Sequence, residues 1–177
     1  MGNSGLERVC DRLEAGVTVV TVNSRLYRYI LEGFDRHMLS KGIVAWKSPV
    51  VMPIGAYLPA LWAEAAPSEP LLAPRQASAL WEKVVSADRS VDKRHFGQAA
   101  RASYEAYRLM SEYCVRLPGD DLYLSEEGRA MKRWLERYSK EVVRLGFVDS
   151  ATLPGRLAKA VSSGLVLVPD ELVLAGF

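Results

Sequence analysis

Thr18-Val-Val-Thr-Val-Asn-Ser-Arg-Leu26 is the stretch on which the fold turns. Its first part, with Val17, is a run of valine and threonine of strand length, the composition of a buried strand. Asn23-Ser24-Arg25 then breaks the run with small polar groups of the kind that start helices. A helix follows over 24–40, with Leu26, Tyr29, Ile30, Gly33, Phe34 and Met38 on one side. Arg25, Arg28, Glu32 and Arg36 fall mostly on the other side. A strand that delivers small polar residues to a helix start is where α/β proteins place ligand contacts. No glycine-rich phosphate loop comes before this strand.

Outward from this unit, residues 6–15 read as a short helix closed by Gly16, with Leu6, Val9, Cys10 and Leu13 on one face. Gly42 ends the 24–40 helix, and Ile43 to Trp46 resumes extended structure. Val50 to Met52 reads as a second strand between Pro49 and Pro53. A helix follows over 54–65, with Pro59 expected in its first turn, where a missing amide is tolerated. Pro67, Pro70 and Pro74 then mark a linker.

From there to about residue 163 the apolar period is helical. Ala77, Leu80, Trp81, Val84 and Val85 make one stripe, and a longer one runs from Phe96 through Ala100, Ser103, Tyr107 and Met110 to Cys114. Met131, Trp134, Leu135, Tyr138, Val142 and Leu145 make a third, and Leu157, Ala158 and Val161 a short fourth ending at Gly164. Leu165 to Val168 is apolar, Pro169-Asp170 turns, and Glu171 to Ala175 reads as a strand. The pattern predicts a helix-rich α/β fold: one sheet layer built from 1–66 and 164–177, with a helical insertion subdomain at 67–163. A chain that stops on a strand and an aromatic, Gly176-Phe177, reads as part of a longer protein.

Composition narrows the function. The 23 basic and 21 acidic side chains leave a net charge of +2, too small to announce nucleic acid without local clustering. Cys10 and Cys114 lack metal-type spacing and point to free thiols in a reducing cytoplasm. No apolar run approaches the ~20 residues that span a bilayer. The N-terminus lacks the apolar core of a signal peptide. A myristoyl acceptor at Gly2 is disfavoured because the sixth residue is Leu6.

Catalytic signatures are missing: no phosphate-cradling Gly-x4-Gly-Lys-Ser/Thr, no Gly-x-Gly-x-x-Gly, no Gly-x-Ser-x-Gly and no His-Glu-x-x-His. Asp120-Asp121 follows Pro118-Gly119 and reads as a loop, and Asp170-Glu171 lies at the wrong end of its strand to hold magnesium. Trp62, Trp81 and Trp134 sit on apolar stripes and read as core, while Trp46 is left open. His37 and His95, near helix ends, read as solvated or capping residues. Basic residues cluster three times: Arg25, Arg28 and Arg36; Lys93-Arg94 with Arg101; and Lys132-Arg133 with Arg137, Lys140 and Arg144. Acidic neighbours such as Glu136 and Glu141 make the last two ordinary solvated faces. The first has a strand end beside it.

Thr21-Val-Asn23-x-Arg25-Leu26 resembles the Thr-x-Asn-x-Arg-Leu opening of a bacterial family of DNA repair proteins related to the AddB/RexB-type exonuclease subunits. Trp46-Lys-Ser-Pro49, then Met52-Pro53 through Tyr57-Leu-Pro-Ala-Leu-Trp62, resemble that family's next block. Leu71-Leu-Ala-Pro74 with Leu80-Trp81-Glu82, Gly146-Phe-Val-Asp149 with Leu153-Pro154, and Leu172-Val-Leu-Ala-Gly-Phe177 resemble later ones in the same order. Such proteins join an N-terminal superfamily-1 helicase-like region to a C-terminal PD-(D/E)XK nuclease domain.

The resemblance implies a partial RecA-like (P-loop NTPase-like) parallel sheet layer and no cofactor. It places Thr21 and Asn23 where helicases touch the single-strand backbone. Arg25 joins them, and Arg28 follows one turn on. Gly176-Phe177 falls where an active helicase has its Walker B acids, so the implied role is ATPase-inactive guiding of single-stranded DNA. The implied partners are the C-terminal nuclease region of the parent chain or a helicase partner subunit, and no catalytic residue lies in this chain. Two alternatives stand beside it: a non-catalytic interaction scaffold packed against the rest of a nuclease complex, and, least favoured, a nucleotide-dependent enzyme.

Overall fold

A computed structural model of the chain describes residues 3–66, 68–88, 90 and 92–177. The readings at Gly2 and Pro67 lie outside these residues. The chain divides into two compact units, 1–65 with 160–177, and 66–159.

The first unit is an α/β layer. Strand β1 (Thr18–Thr21) is central, with β2 (Val51–Pro53) and β3 (Leu172–Ala175) parallel on either side in the order β2-β1-β3. Val19 pairs with Val51 on one side and Val173 on the other. Helix α1 (Asn3–Glu14) precedes β1, α2 (Ser24–Ser40) links β1 to β2, and α3 (Ile54–Ala65) follows β2 directly. Val19, Val20 and Thr21 are fully buried, as expected of the middle strand of a parallel sheet. Cys10 and Leu13 of α1 pack with Ile30, Phe34 and Met38 of α2 against Val19, Val51 and Ala175.

Helices α1 and α2 cross closely. A Cβ on Gly33 would lie 2.8 Å from Leu6 Cδ2, so the glycine sets that approach. Gly42, at φ +74°, ends α2 as Ile43 N–H and Gly42 N–H reach back to the carbonyls of Met38 and Leu39.

The second unit is helical: α4 (Pro74–Ser86), α5 (Phe96–Glu112), α6 (Glu126–Arg144) and α7 (Leu153–Ser162), with 3₁₀ turns at Lys93–His95 and Asp121–Tyr123. Its core centres on Trp81, whose ring stacks on Tyr138 at 4.5 Å between centroids, with Tyr107 at 5.8 Å. All five residues of the α4 stripe are buried. Pro74 opens α4, and the Gln76 side chain accepts from the Ala73 amide at 3.0 Å, closing the first turn. Asp149 is buried in this unit, where Tyr138 Oη donates to Oδ2 and the Ala151 amide donates to Oδ1 at 2.7 Å. Trp62, Trp81 and Trp134 are core residues, and Trp46 is half-buried against the first unit's core.

Several elements differ from expectation. The second strand is Val51–Pro53, shifted one residue along, and Ile43–Val50 forms no strand. Pro59 lies inside α3 rather than in its first turn, because the helix starts directly after β2 and puts the proline at its sixth position. The cost is the missing amide partner for the Gly55 carbonyl. Cys114 does not continue the α5 stripe. It is exposed at φ +53°, where Val115 N–H turns back to Met110 O at 2.8 Å and terminates the helix. In α7 the buried positions are Leu153, Leu157 and Ala160, while Ala158 and Val161 are exposed.

Candidate nucleic-acid interface

The three strands are parallel, so their carboxyl ends share one edge of the layer. The chain leaves β1 towards α2 and β2 on one side, while β3 lies on the other. The crevice beyond β1 and β3 is thus a point where the connections diverge, the position at which open α/β sheets bind ligands. The expected residues Thr21, Asn23, Arg25 and Arg28 all lie at this edge or in the first turns of the helix that rises from it.

Their environments differ sharply. Thr21 has no exposed surface, and its hydroxyl donates to the Asn23 carbonyl at 3.0 Å and approaches Met52 O at 3.5 Å. Its hydroxyl is thus engaged in holding the β1–α2 turn to the end of β2. Asn23 is exposed and extended (φ −156°), and its Oδ1 accepts from the amides of Arg25 at 3.0 Å and Leu26 at 2.9 Å. That cap satisfies two of the amides a helix start leaves unpaired.

Arg25 and Arg28 stand three residues apart on an exposed face of α2. The Arg28 Nε donates to the Ser24 carbonyl at 3.4 Å. Among the described residues neither guanidinium has an acidic partner. The other wall is Gly176, at φ +84°, where a Cβ would fall 2.7 Å from Leu26 Cδ2 and 3.0 Å from Val22 Cγ1. Phe177 beyond it is 68% exposed.

In the remaining two basic clusters Arg94, Arg101, Lys132, Arg133 and Arg144 meet carboxylates of the chain, whereas Lys93, Arg137 and Lys140 have no acidic partner among the described residues. Lys132 bonds Asp121 at 2.7 Å, Arg133 meets Asp88 at 3.3 Å, Arg144 bonds Glu141 at 2.9 Å and Arg94 bonds Asp92 at 2.7 Å. These contacts hold the Asp121, Glu141 and Asp92 carboxyls below the usual range, chiefly through hydrogen bonds from Lys132, Arg144 and Arg94 respectively.

A donor set that sequence reading missed lies at the other end of α2. His37 is not solvated and makes no cap. Its side chain is largely buried, with Nε2 3.6 Å from Asp11 Oδ1 and 3.5 Å from Glu14 Oε2. Lys41 Nζ sits 2.6 Å from the same Glu14 oxygen and lowers that carboxyl, chiefly by its hydrogen bond. The Lys41 ammonium already occupies the Glu14 oxygen that a metal would need, while Asp11 meets His37 alone among the described ion pairs. His95 stands exposed at the start of α5 without a capping bond.

The β1–α2 turn consists of Val22 and Asn23 alone, too short to wrap a triphosphate as a glycine-rich loop does. What the edge offers is exposed guanidinium charge and a capped helix start, which suits contact with phosphodiester oxygens from outside. No helix among the described residues is long and apolar enough to cross a membrane. No family model, curated protein or solved structure matches the chain.

Proposed function

We propose that this chain is an ATPase-inactive, helicase-like unit that binds and guides single-stranded DNA in the cytoplasm, within a larger DNA repair or exonuclease protein. The observation that carries the reading is the placement of Arg25 and Arg28, exposed and without an acidic partner among the described residues, at the sheet's carboxyl edge beside the Asn23-capped helix start. In this reading Arg25 and Arg28 contact backbone phosphates. Asn23 fixes the helix start that presents them, and Thr21 positions the turn. The parallel arrangement around a central β1 supports the finer assignment to a partial RecA-like layer. A nuclease region or helicase partner subunit supplies the chemistry.

The test is fluorescence anisotropy with labelled single-stranded and duplex DNA at low and moderate salt. Salt-sensitive binding that prefers single strands, and that Arg25→Ala with Arg28→Ala weakens, is the expected result. Unchanged affinity in the double variant refutes the assignment of the site.

A second reading, a non-catalytic interaction scaffold, is favoured by the apolar surface of the last segment, where Leu167 is 88% and Leu174 59% exposed. Concentration-dependent self-association without DNA binding is the result that selects it.

A further inference from the structure

In the helical unit, α5 and α6 each pack against α4 and leave an open groove of about 480 Å³ between them. The α5 wall is a stripe of small side chains, Ala99, Ala102, Ser103 and Ala106, at the spacing of one helix face. The α6 wall is Ala130, Met131 and Trp134. The indole is fixed there by its Nε1–H, which donates to Asp88 Oδ2 at 2.8 Å. A trough with alanine on both sides and one rigid aromatic wall admits the close approach of a further helix between α5 and α6.

The rim adds a charge requirement. Glu126 and Glu127 border the groove in the first turn of α6. Of the cations that follow them, Arg129 donates to Leu124 O at 2.9 Å and acts through its charge on Glu127, while Lys132 bonds Gly119 O and Asp121 and Arg133 bonds Asp88. Glu127 lies beside the Ser125 cap, with its carboxyl lowered chiefly by its own amide, then by Ser125 and by the charge of Arg129. Glu126 is exposed and has no ion pair among the described residues. The open end of the groove therefore presents the Glu126 carboxylate, which no cation among the described residues pairs.

We propose that the groove between α5 and α6 docks an amphipathic helix from a partner protein, with its apolar stripe over Ala102, Ala106 and Met131 and a lysine or arginine against Glu126. This surface is separate from the proposed DNA edge and does not rest on that reading.

The full chain is titrated into a fluorescein-labelled amphipathic Leu/Lys peptide about 15 residues long, with a Leu/Glu peptide of the same pattern as counterpart. The Leu/Lys peptide binds, and the Leu/Glu peptide binds about 10-fold more weakly or worse. Ala102→Trp fills the trough from an exposed position and weakens Leu/Lys binding about 10-fold. Glu126→Gln weakens it several-fold and reduces its salt dependence. Circular dichroism confirms that both variants fold, and their affinity for labelled single-stranded DNA stays unchanged. Failure of the Leu/Lys peptide to bind, equal binding of the Leu/Glu peptide, or undiminished binding to a folded Ala102→Trp protein each overturns the proposal.

Discussion

Loss of the Asp88 side chain, in the loop after α4, predicts a large stability effect in the helical unit. Its Oδ1 accepts from the Ser90 amide at 3.0 Å and the Ser90 hydroxyl at 2.7 Å, and its Oδ2 accepts from Trp134 Nε1 at 2.8 Å and Arg133 at 3.3 Å. The Asp88 side chain is only 11% exposed. In Asp88→Ala the part-buried indole N–H loses its partner, at about 1–3 kcal/mol. The Ser90 groups are exposed and can turn to water, so they add about 0.5–1 kcal/mol. The half-exposed Arg133 pair adds under about 1 kcal/mol. The expected total is about 2–4 kcal/mol, a shift of roughly 1–2 M in the urea midpoint.

Urea unfolding of the full chain followed by far-UV circular dichroism reads the change, and a cycle with Trp134→Phe isolates the indole bond. Coupling of about 1–2 kcal/mol between the two substitutions is expected. A loss below about 0.5 kcal/mol in Asp88→Ala, or simple additivity in the cycle, refutes the reasoning. The acid limb gives a second check. Ser90, chiefly through its amide and then its hydroxyl, holds the Asp88 carboxyl far below its ordinary 3.8. A carboxyl lowered in the folded state contributes stability that is present above its unfolded value and fades as pH falls through the folded one. Asp88→Asn therefore flattens the stability profile below about pH 4 and leaves its slope near neutrality unchanged.

Further outcomes follow from the α/β unit. Arg25→Ala with Arg28→Ala lowers the slope of log affinity for single-stranded DNA against log salt by about 1.4, the value for two lost phosphate contacts; a salt titration checks it. Gly176→Ala forces a side chain into a left-handed backbone and towards Leu26, costing about 1–2 kcal/mol; thermal unfolding reads it, and an unchanged midpoint counts against close packing there. Lys41→Met removes the hydrogen bond that lowers Glu14, so the Glu14 carboxyl titrates closer to its ordinary 4.5. In the unsubstituted protein the stabilisation from this pair is present above that value and lost as pH falls below it, and the variant lacks that loss; carboxyl-resolved NMR titration follows both.

Periodic signals were legible and pairings across long stretches of chain were not. Helix α2 occupies the expected 24–40, because an Asn cap, a regular apolar stripe and a closing glycine all speak in local sequence. The five-residue stripe of α4 was legible for the same reason. Asp88 and Trp134 lie 46 residues apart, and the His37 cluster joins α1 to α2; neither has a local pattern to betray it. The inward turn of the Thr21 hydroxyl was hidden as well. A central parallel strand is buried on both faces, so the alternation that sorts inner from outer residues is missing. Pro59 shows the converse limit, since propensity favours a helix start that the adjoining strand has already claimed.

The place of β1 between β2 and β3 has a consequence for the order in which the chain acquires structure. β2 follows β1 by about thirty residues, but β3 arrives only at Leu172, after the whole helical unit. The helical unit is one continuous segment, so every contact of its core is available once residue 159 has been made. During synthesis β1 keeps one edge unpaired until the Leu172–Ala175 strand has emerged, a delay after β2 of roughly 6–24 s at about 5–20 residues per second. Through that interval a hydrophobic strand edge stands open to wrong partners, and the first unit is the one whose assembly a chaperone would have to guard.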